Sequence, residues 1–434
     1  MTRRQMHLGA FLFNLGNHVA GWRHPSVDPR DLMRLDFYAG LADIAERGLF
    51  DFVFLSDGLG LNDTHDAVLR HSIVVRPEPL TLLGALAART RHIGLAATVS
   101  TTYNEPYAVA RKLATLDFLS EGRVAVNIVT SSTWQEARNF GAEAHMAHDA
   151  RYRRAAEFVR VMEALWLSWG PDAVLADQAS GDFARPDQIR PIEHNGEFFA
   201  VRGPLNVPRP PQGRPVVIQA GISPAGQDLA AHLADVVFTL NEGLADATAR
   251  SLALKAAARA AGRDPAMLKV MPGIMPILGD TAAEAAANEA MLEELVPPPL
   301  AMAYLSDMVG QDLTNHDPAG RLPDLRGGEG ERGRLAMVEK LAREGLSLGG
   351  IARRMVLARG HKLVRGTPSQ VADTLQLWFE SGACDGFNIL APWHPGGLQA
   401  FVTGVVPELQ RRGLFRRAYG TGNLRDRLGL PVVT

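Results

Sequence analysis

HIGLAATVSTTYNEPYAVARKLATLDFLSEGRVAVNIVTS, residues 92–131, places one helical pattern between two apolar, β-rich runs. HIGLAATVS (92–100) and RVAVNIVTS (123–131) are apolar on both faces, and PYAVARKLATLDFLS (106–120) opens with a proline, which suits a first helical turn. Strands of this kind, each followed by a helix, imply a parallel sheet covered on all sides. The alternation extends outward in both directions. Further strands are expected at 7–13, 51–57, 215–221, 235–240, 269–278 and 386–390, and further helices at 36–48, 79–90, 150–166 and 368–382. Eight such strands predict an α/β fold, a closed (β/α)8 TIM barrel.

Two stretches break the rhythm. Residues 168–214, rich in Pro, Gly and Asp, and 297–365, with PPP and GRLPDLRGGEGERGR, are too long for ordinary connections. The expectation is a single barrel domain over 1–434 with insertions at these two places, each a candidate lid or binding loop.

With 434 residues, a formal net charge of -2, 46% hydrophobic content and no long basic block, the chain favours a small-molecule ligand over nucleic acid or membrane. The lone Cys384 cannot form an internal disulfide, MTRRQMHLGAFLF shows no signal-peptide cleavage pattern, and no apolar run reaches about 18 residues. A cytoplasmic location is the simplest expectation.

In a barrel of this kind the active site lies where the strands end. Polar residues gather there: Asn17, His18, Trp22 and His24 after the first strand; Ser56 and Asp57 after the second; Thr98, Thr101, Thr102 and Tyr103 on the third; Asn127, Thr130, Ser131 and Ser132 on the fourth. Each alone reads as a turn former or cap. Recurrence on four successive strands points to a ligand oriented by hydrogen bonds more than by charge.

VVIQAGISPAGQDLAA (216–231) adds a strand that meets a helix through Gly221, Ser223 and Pro224. Ser223 reads as an N-cap with Pro224 at the first helical position, and such a helix start also suits an anion. HMAHDARYRRAAEFV begins another helix with His148, Asp149 and Tyr152, flanked by Arg151 and Arg153. Two helix starts could close on one phosphate. His145, His148 and Asp149 form a poor metal pattern, no GxGxxG follows a strand, and neither a P-loop nor a GxSxG elbow is present. Cys384 reads as a small buried residue rather than a nucleophile.

HLGAFLFNLGNHVAGWRHP, the AATVSTTYNEPYAVARKLATLDFLSEGRVAVNIVTS block, HDARYRRAAEFV, QAGISPAGQDLAA and the closing ADTLQLWFESGACDGFNILAPWHPGGLQAFVTGVVPELQRRGLF together resemble the bacterial-luciferase-like flavin monooxygenases, within them the nitrilotriacetate, EDTA and dibenzothiophene-sulfone monooxygenase group. The resemblance implies a two-component enzyme: a separate NAD(P)H:flavin reductase supplies FMNH2, O2 adds at the flavin C4a position, and a small organic substrate is oxygenated. It places Asp57, Thr98 and Asn127 around the flavin ring and His148, Tyr152 and Ser223 at the phosphate end, and it implies a homodimer or homotetramer. His18 is the candidate for handling the peroxide as hydrogen-bond partner, acid or base; Trp22, His24 and His316 are candidate pocket walls. The rival readings are an oxidoreductase using the deazaflavin F420, a non-catalytic flavin-binding protein, and a barrel lyase holding a phosphorylated substrate.

Overall fold

The computed structural model describes residues 4–131, 133–221, 223–241, 243–325, 332–358 and 360–433. The candidate Ser132 and part of the second insertion lie outside them.

All eight expected strands form. In chain order they are β1 (His7–Leu12), β2 (Phe52–Leu55), β3 (Gly94–Ser100), β4 (Val124–Val129), β5 (Val216–Gln219), β6 (Val236–Thr239), β7 (Lys269–Leu278) and β8 (Gly386–Ile389). Every neighbouring pair is parallel, and β8 returns to β1 with His7 opposite Gly386 and Ala10 opposite Ile389, so the barrel closes. Closure removes the exposed strand edges of an open sheet.

The two-sided apolarity of the strands now has a physical reason, because alternate residues serve different cores. Phe11, Phe54, Ala96, Ala125, Ile218 and Phe238 belong to one interior cluster. Leu12, Val53, Leu95, Val126 and Val217 belong to another, shared with helices that include Leu35–Arg47, Pro106–Leu119 and His148–Trp166. Phe11 meets Phe54 and Phe238 at ring-centroid distances of 4.9 and 5.4 Å, which blocks the middle of the barrel. Gly9 makes this packing possible: a Cβ there would stand 2.5 Å from the Phe52 ring.

The end of the barrel where the strands begin is plugged. Leu424, Leu428 and Leu430 join the interior cluster, and buried Arg425 donates to Asp235 at 2.8 Å. Space for a ligand is left at the opposite end.

The insertions have structure of their own. Within 168–214, Val174–Asp177 pairs with Asp182–Ala184 and His194–Asn195 with Ala200–Val201, both antiparallel. Glu157, on the helix His148–Trp166, accepts from the backbone of Phe198 and Phe199 and pairs with His194, tying this insertion down. The second insertion contributes the helices Pro298–Val309, Arg332–Arg343 and Leu348–Leu357. Its apolar cluster, which includes Leu300, Leu305 and Ile351, also takes in Val19 and Ala20 from the loop after β1. The strand Lys362–Gly366 extends the sheet beside the far half of β7. No helix among the described residues is long and apolar enough to cross a membrane.

Candidate active site at the barrel mouth

Thr98 and Asn127 face each other in register on β3 and β4, both nearly inaccessible, and Asn127 Nδ2 donates to Thr98 Oγ1 at 3.1 Å. Asn127 Oδ1 has no partner among the described residues. Beyond them, Ser100 Oγ and Ser131 Oγ lie 2.8 Å apart, and Ser131 donates to Glu136 at 3.0 Å. Glu136 also accepts from Leu59 N, Thr133 N and Thr133 Oγ1, so one buried carboxylate ties the loops after β2 and β4 together. Asp57, half-buried in the loop after β2, has its pKa raised by burial, against the opposing pull of the Gly58 backbone N–H and the Arg76 guanidinium.

The two helix starts do converge. Ser223 Oγ accepts from Gly226 N at 3.2 Å, the expected N-cap, with Pro224 next. A Cβ placed on Gly221 would stand 2.9 Å from the Tyr152 hydroxyl, and one on Gly226 would stand 3.1 Å from it. Tyr152 therefore reaches the turn that Ser223 caps. His148 sits on the exposed rim, its ring 4.9 Å from that of Tyr152 and its Nδ1 paired with Asp149 at 2.9 Å. Arg151 donates to Ser131 O, and its Nε has no partner among the described residues. Arg153 turns away to Glu197, so of the two arginines only Arg151 faces the mouth.

On the other side, the loop after β1 is laced to the loop after β8 by Asn17 N to Ala391 O, His18 N to Pro392 O and His394 N to Leu15 O. His18 is buried here rather than solvated, and its Nδ1 accepts from Ala20 N at 3.2 Å. That contact places the proton of the neutral ring on Nε2. His24 stacks on Trp393 at 4.1 Å, and Trp22 donates to His71 O. His316 is exposed in the second insertion. His145 is engaged by Tyr103 and the carbonyl of Thr133, and Cys384 is buried with its thiol pKa pushed up by burial. A cavity of about 530 Å³ opens beside the mouth between Thr102, Tyr103, Phe140, His145 and Arg154.

Three residues of this region escaped sequence reading. Glu136 was legible as the last position of the capping box TWQE, Thr133 to Glu136. Gln219 was visible as a polar residue ending an apolar run. His394, fully buried with neither ring nitrogen partnered among the described residues and its pKa pushed down to about 3 by burial, left no signal beyond its place after the last strand.

Hydroxyls and amides along the mouth, with a helix start and Tyr152 at one side, suit a planar heterocycle with an anionic tail. The profile of the luciferase-like monooxygenase family matches residues 6–384. The chain is 45% identical to nitrilotriacetate monooxygenase component A of Aminobacter aminovorans, over 99% of this chain and 97% of that protein. It is 43% identical to N-acetyl-S-(2-succino)cysteine monooxygenase of Bacillus subtilis (strain 168), again over 99% and 97%. Among solved structures, a riboflavin lyase with modified FMN and its substrate riboflavin superposes with a TM-score of 0.90 at 30% identity, over 99% of this chain and 97% of that one.

Proposed function

The chain belongs to the luciferase-like monooxygenases, and from that premise we propose that it oxygenates a small organic substrate with O2 and reduced FMN, the flavin being delivered by a separate NAD(P)H-dependent reductase. The observation that carries the flavin assignment is the Tyr152 hydroxyl lying against Gly221 and Gly226 in the turn capped by Ser223. A phosphate there would meet a hydroxyl and the positive end of the helix Pro224–Leu233. Asn127 Oδ1, without a partner among the described residues, fits the other end of the same ligand, since a flavin ring offers an N–H. The residues present thus fit FMN.

Bound reduced FMN supplies the electrons that activate O2 for transfer of one oxygen atom to the substrate. The protein's part is to bind, orient and keep water out. Thr98, Asn127 and Asp57 hold the ring; Tyr152, Ser223 and the rim residue His148 hold the tail. His18, buried with its proton on Nε2, supplies a proton or hydrogen bond at that atom. We read the whole chain as one barrel domain whose insertions wall the mouth, a reading supported by the apolar contact of the second insertion with Val19 and Ala20. The word "component" in the name of the 45% identical relative supports the separate reductase. The deazaflavin alternative is not favoured, because relatives at 42–45% identity over nearly the whole chain are named monooxygenases.

The test is a reductase-coupled assay under ¹⁸O2 with a panel of chelates, thioether acids, sulfones and alkanes. Incorporation of one ¹⁸O into a product, or its cleavage after hydroxylation, is expected; consumption of O2 that ends only in hydrogen peroxide with every compound would count against monooxygenation. Ser223→Ala with Tyr152→Phe should weaken FMN binding by roughly 1.5–3 kcal/mol for each hydrogen bond lost to the charged phosphate, with an unchanged fold. Unaltered affinity would remove these two residues from the phosphate site.

A further inference from the structure

Gln219 is a polar residue at the end of an otherwise apolar strand, and neither barrel packing nor the helix cap explains it. It is 3% exposed, and its Oε1 has no hydrogen-bond partner among the described residues. Native proteins rarely leave such an acceptor unserved, so a donor from outside the protein, a bound ligand or an ordered water, is expected there. Its Nε2 lies 2.3 Å from the point where a Cβ on Gly221 would stand, and that point is 2.9 Å from the Tyr152 hydroxyl. The amide and the phenol therefore border one place, where the strand ends and the helix starts meet.

The chemistry of the orphaned atom narrows what it is for. A carbonyl oxygen needs a donor, and a phosphate dianion has only acceptors. The hydroxyls of a ribityl chain both donate and accept, so they can serve either face of an amide. Resting on the flavin reading above, we propose that Gln219 recognises the ribityl hydroxyls of the cofactor tail, leaving the phosphate to Tyr152 and the start of the helix Pro224–Leu233. The site would then read the polyol as well as the charge, and Gly221 would be kept small so that both side chains reach it.

The near-isosteric Gln219→Met separates this from a structural role. FMN and its 5′-phosphopentyl analogue, with the same ring and phosphate on a five-carbon chain lacking hydroxyls, are titrated against both proteins by flavin fluorescence. Loss of the amide should weaken FMN binding roughly three- to tenfold and leave the analogue's affinity unchanged, since one net hydrogen bond is at stake. The melting temperature of the free protein should hold or rise, because a buried amide whose Oε1 has no partner among the described residues is replaced by an apolar chain. Equal weakening of both ligands would assign Gln219 to the phosphate or to the fold and overturn the proposal, as would an undiminished affinity for FMN. If the unmodified protein binds FMN neither in its oxidised form nor, in an anaerobic titration, in its reduced form, the flavin reading itself falls and takes this inference with it.

Discussion

Gly221 carries no side chain, and that absence is what lets the Tyr152 hydroxyl and the Gln219 amide approach the same turn. Its backbone is not among those with positive φ, so alanine is conformationally permitted there and the constraint is one of space alone. Gly221→Ala should displace Tyr152 or Gln219 and weaken FMN binding about tenfold, while overpacking costs the free protein about 1–3 kcal/mol. Titration with FMN and a denaturant melt read the two effects separately; wild-type affinity would mean that the cofactor does not use this turn. The sequence marks Gly221 as a strand-ending glycine, but the reason it must be glycine lies on a helix that begins more than seventy residues earlier. For the same reason Ser223 was legible as a cap whereas its convergence with Tyr152 was only an expectation, since sequence spacing carries no distance between separate elements.

At the scale of elements, the short helix Trp134–Asn139 does more than its length suggests. Its capping box recruits Glu136, and the same carboxylate receives Leu59 N from the loop after β2 and Ser131 Oγ from the end of β4. Glu136→Ala removes the reciprocal half of the capping box, Thr133 remaining as N-cap, and leaves the Leu59, Thr133 and Ser131 donors unserved. We expect a small loss of thermal stability and a larger rise in hydrogen exchange at residues 58–64, with weaker FMN binding because Asp57 sits in the loosened loop. Unchanged exchange there would show that other contacts hold the loop. Strands and long helices were legible because their apolar periods are local properties. The two hairpins within 168–214 were not: their strands are two to four residues long and mostly exposed, so no period marks them.

For the molecule as a whole, function and stability occupy opposite ends of the barrel. At the closed end Asp235 accepts from both Arg425 and Arg214 at 2.8 Å, and Gln212 Oε1 accepts from Arg425 N. Arg425 is buried, so Arg425→Ala strips a charge from a desolvated network and should cost about 3–5 kcal/mol. The affinity of the folded protein for FMN should not change, because the mouth lies at the other end. A melting curve paired with an FMN titration checks both; a loss of affinity without a loss of stability would contradict this division. The C-terminal segment 424–430 plugs the barrel although its sequence carries no barrel signal, since a few leucines and arginines acquire that role only from what surrounds them.

The order of local preferences along the chain determined the eight strands, most of their helices, the closed architecture and the edge on which polar residues gather, because apolar periodicity and helix-start chemistry act over a few residues. Only tertiary structure decided which of those polar residues meet: Tyr152 with Gly221, Asn127 with Thr98, Glu136 with Leu59, and Arg153 with Glu197 instead of the mouth. Such meetings depend on barrel curvature and register summed over hundreds of residues, and no short window of sequence contains that sum.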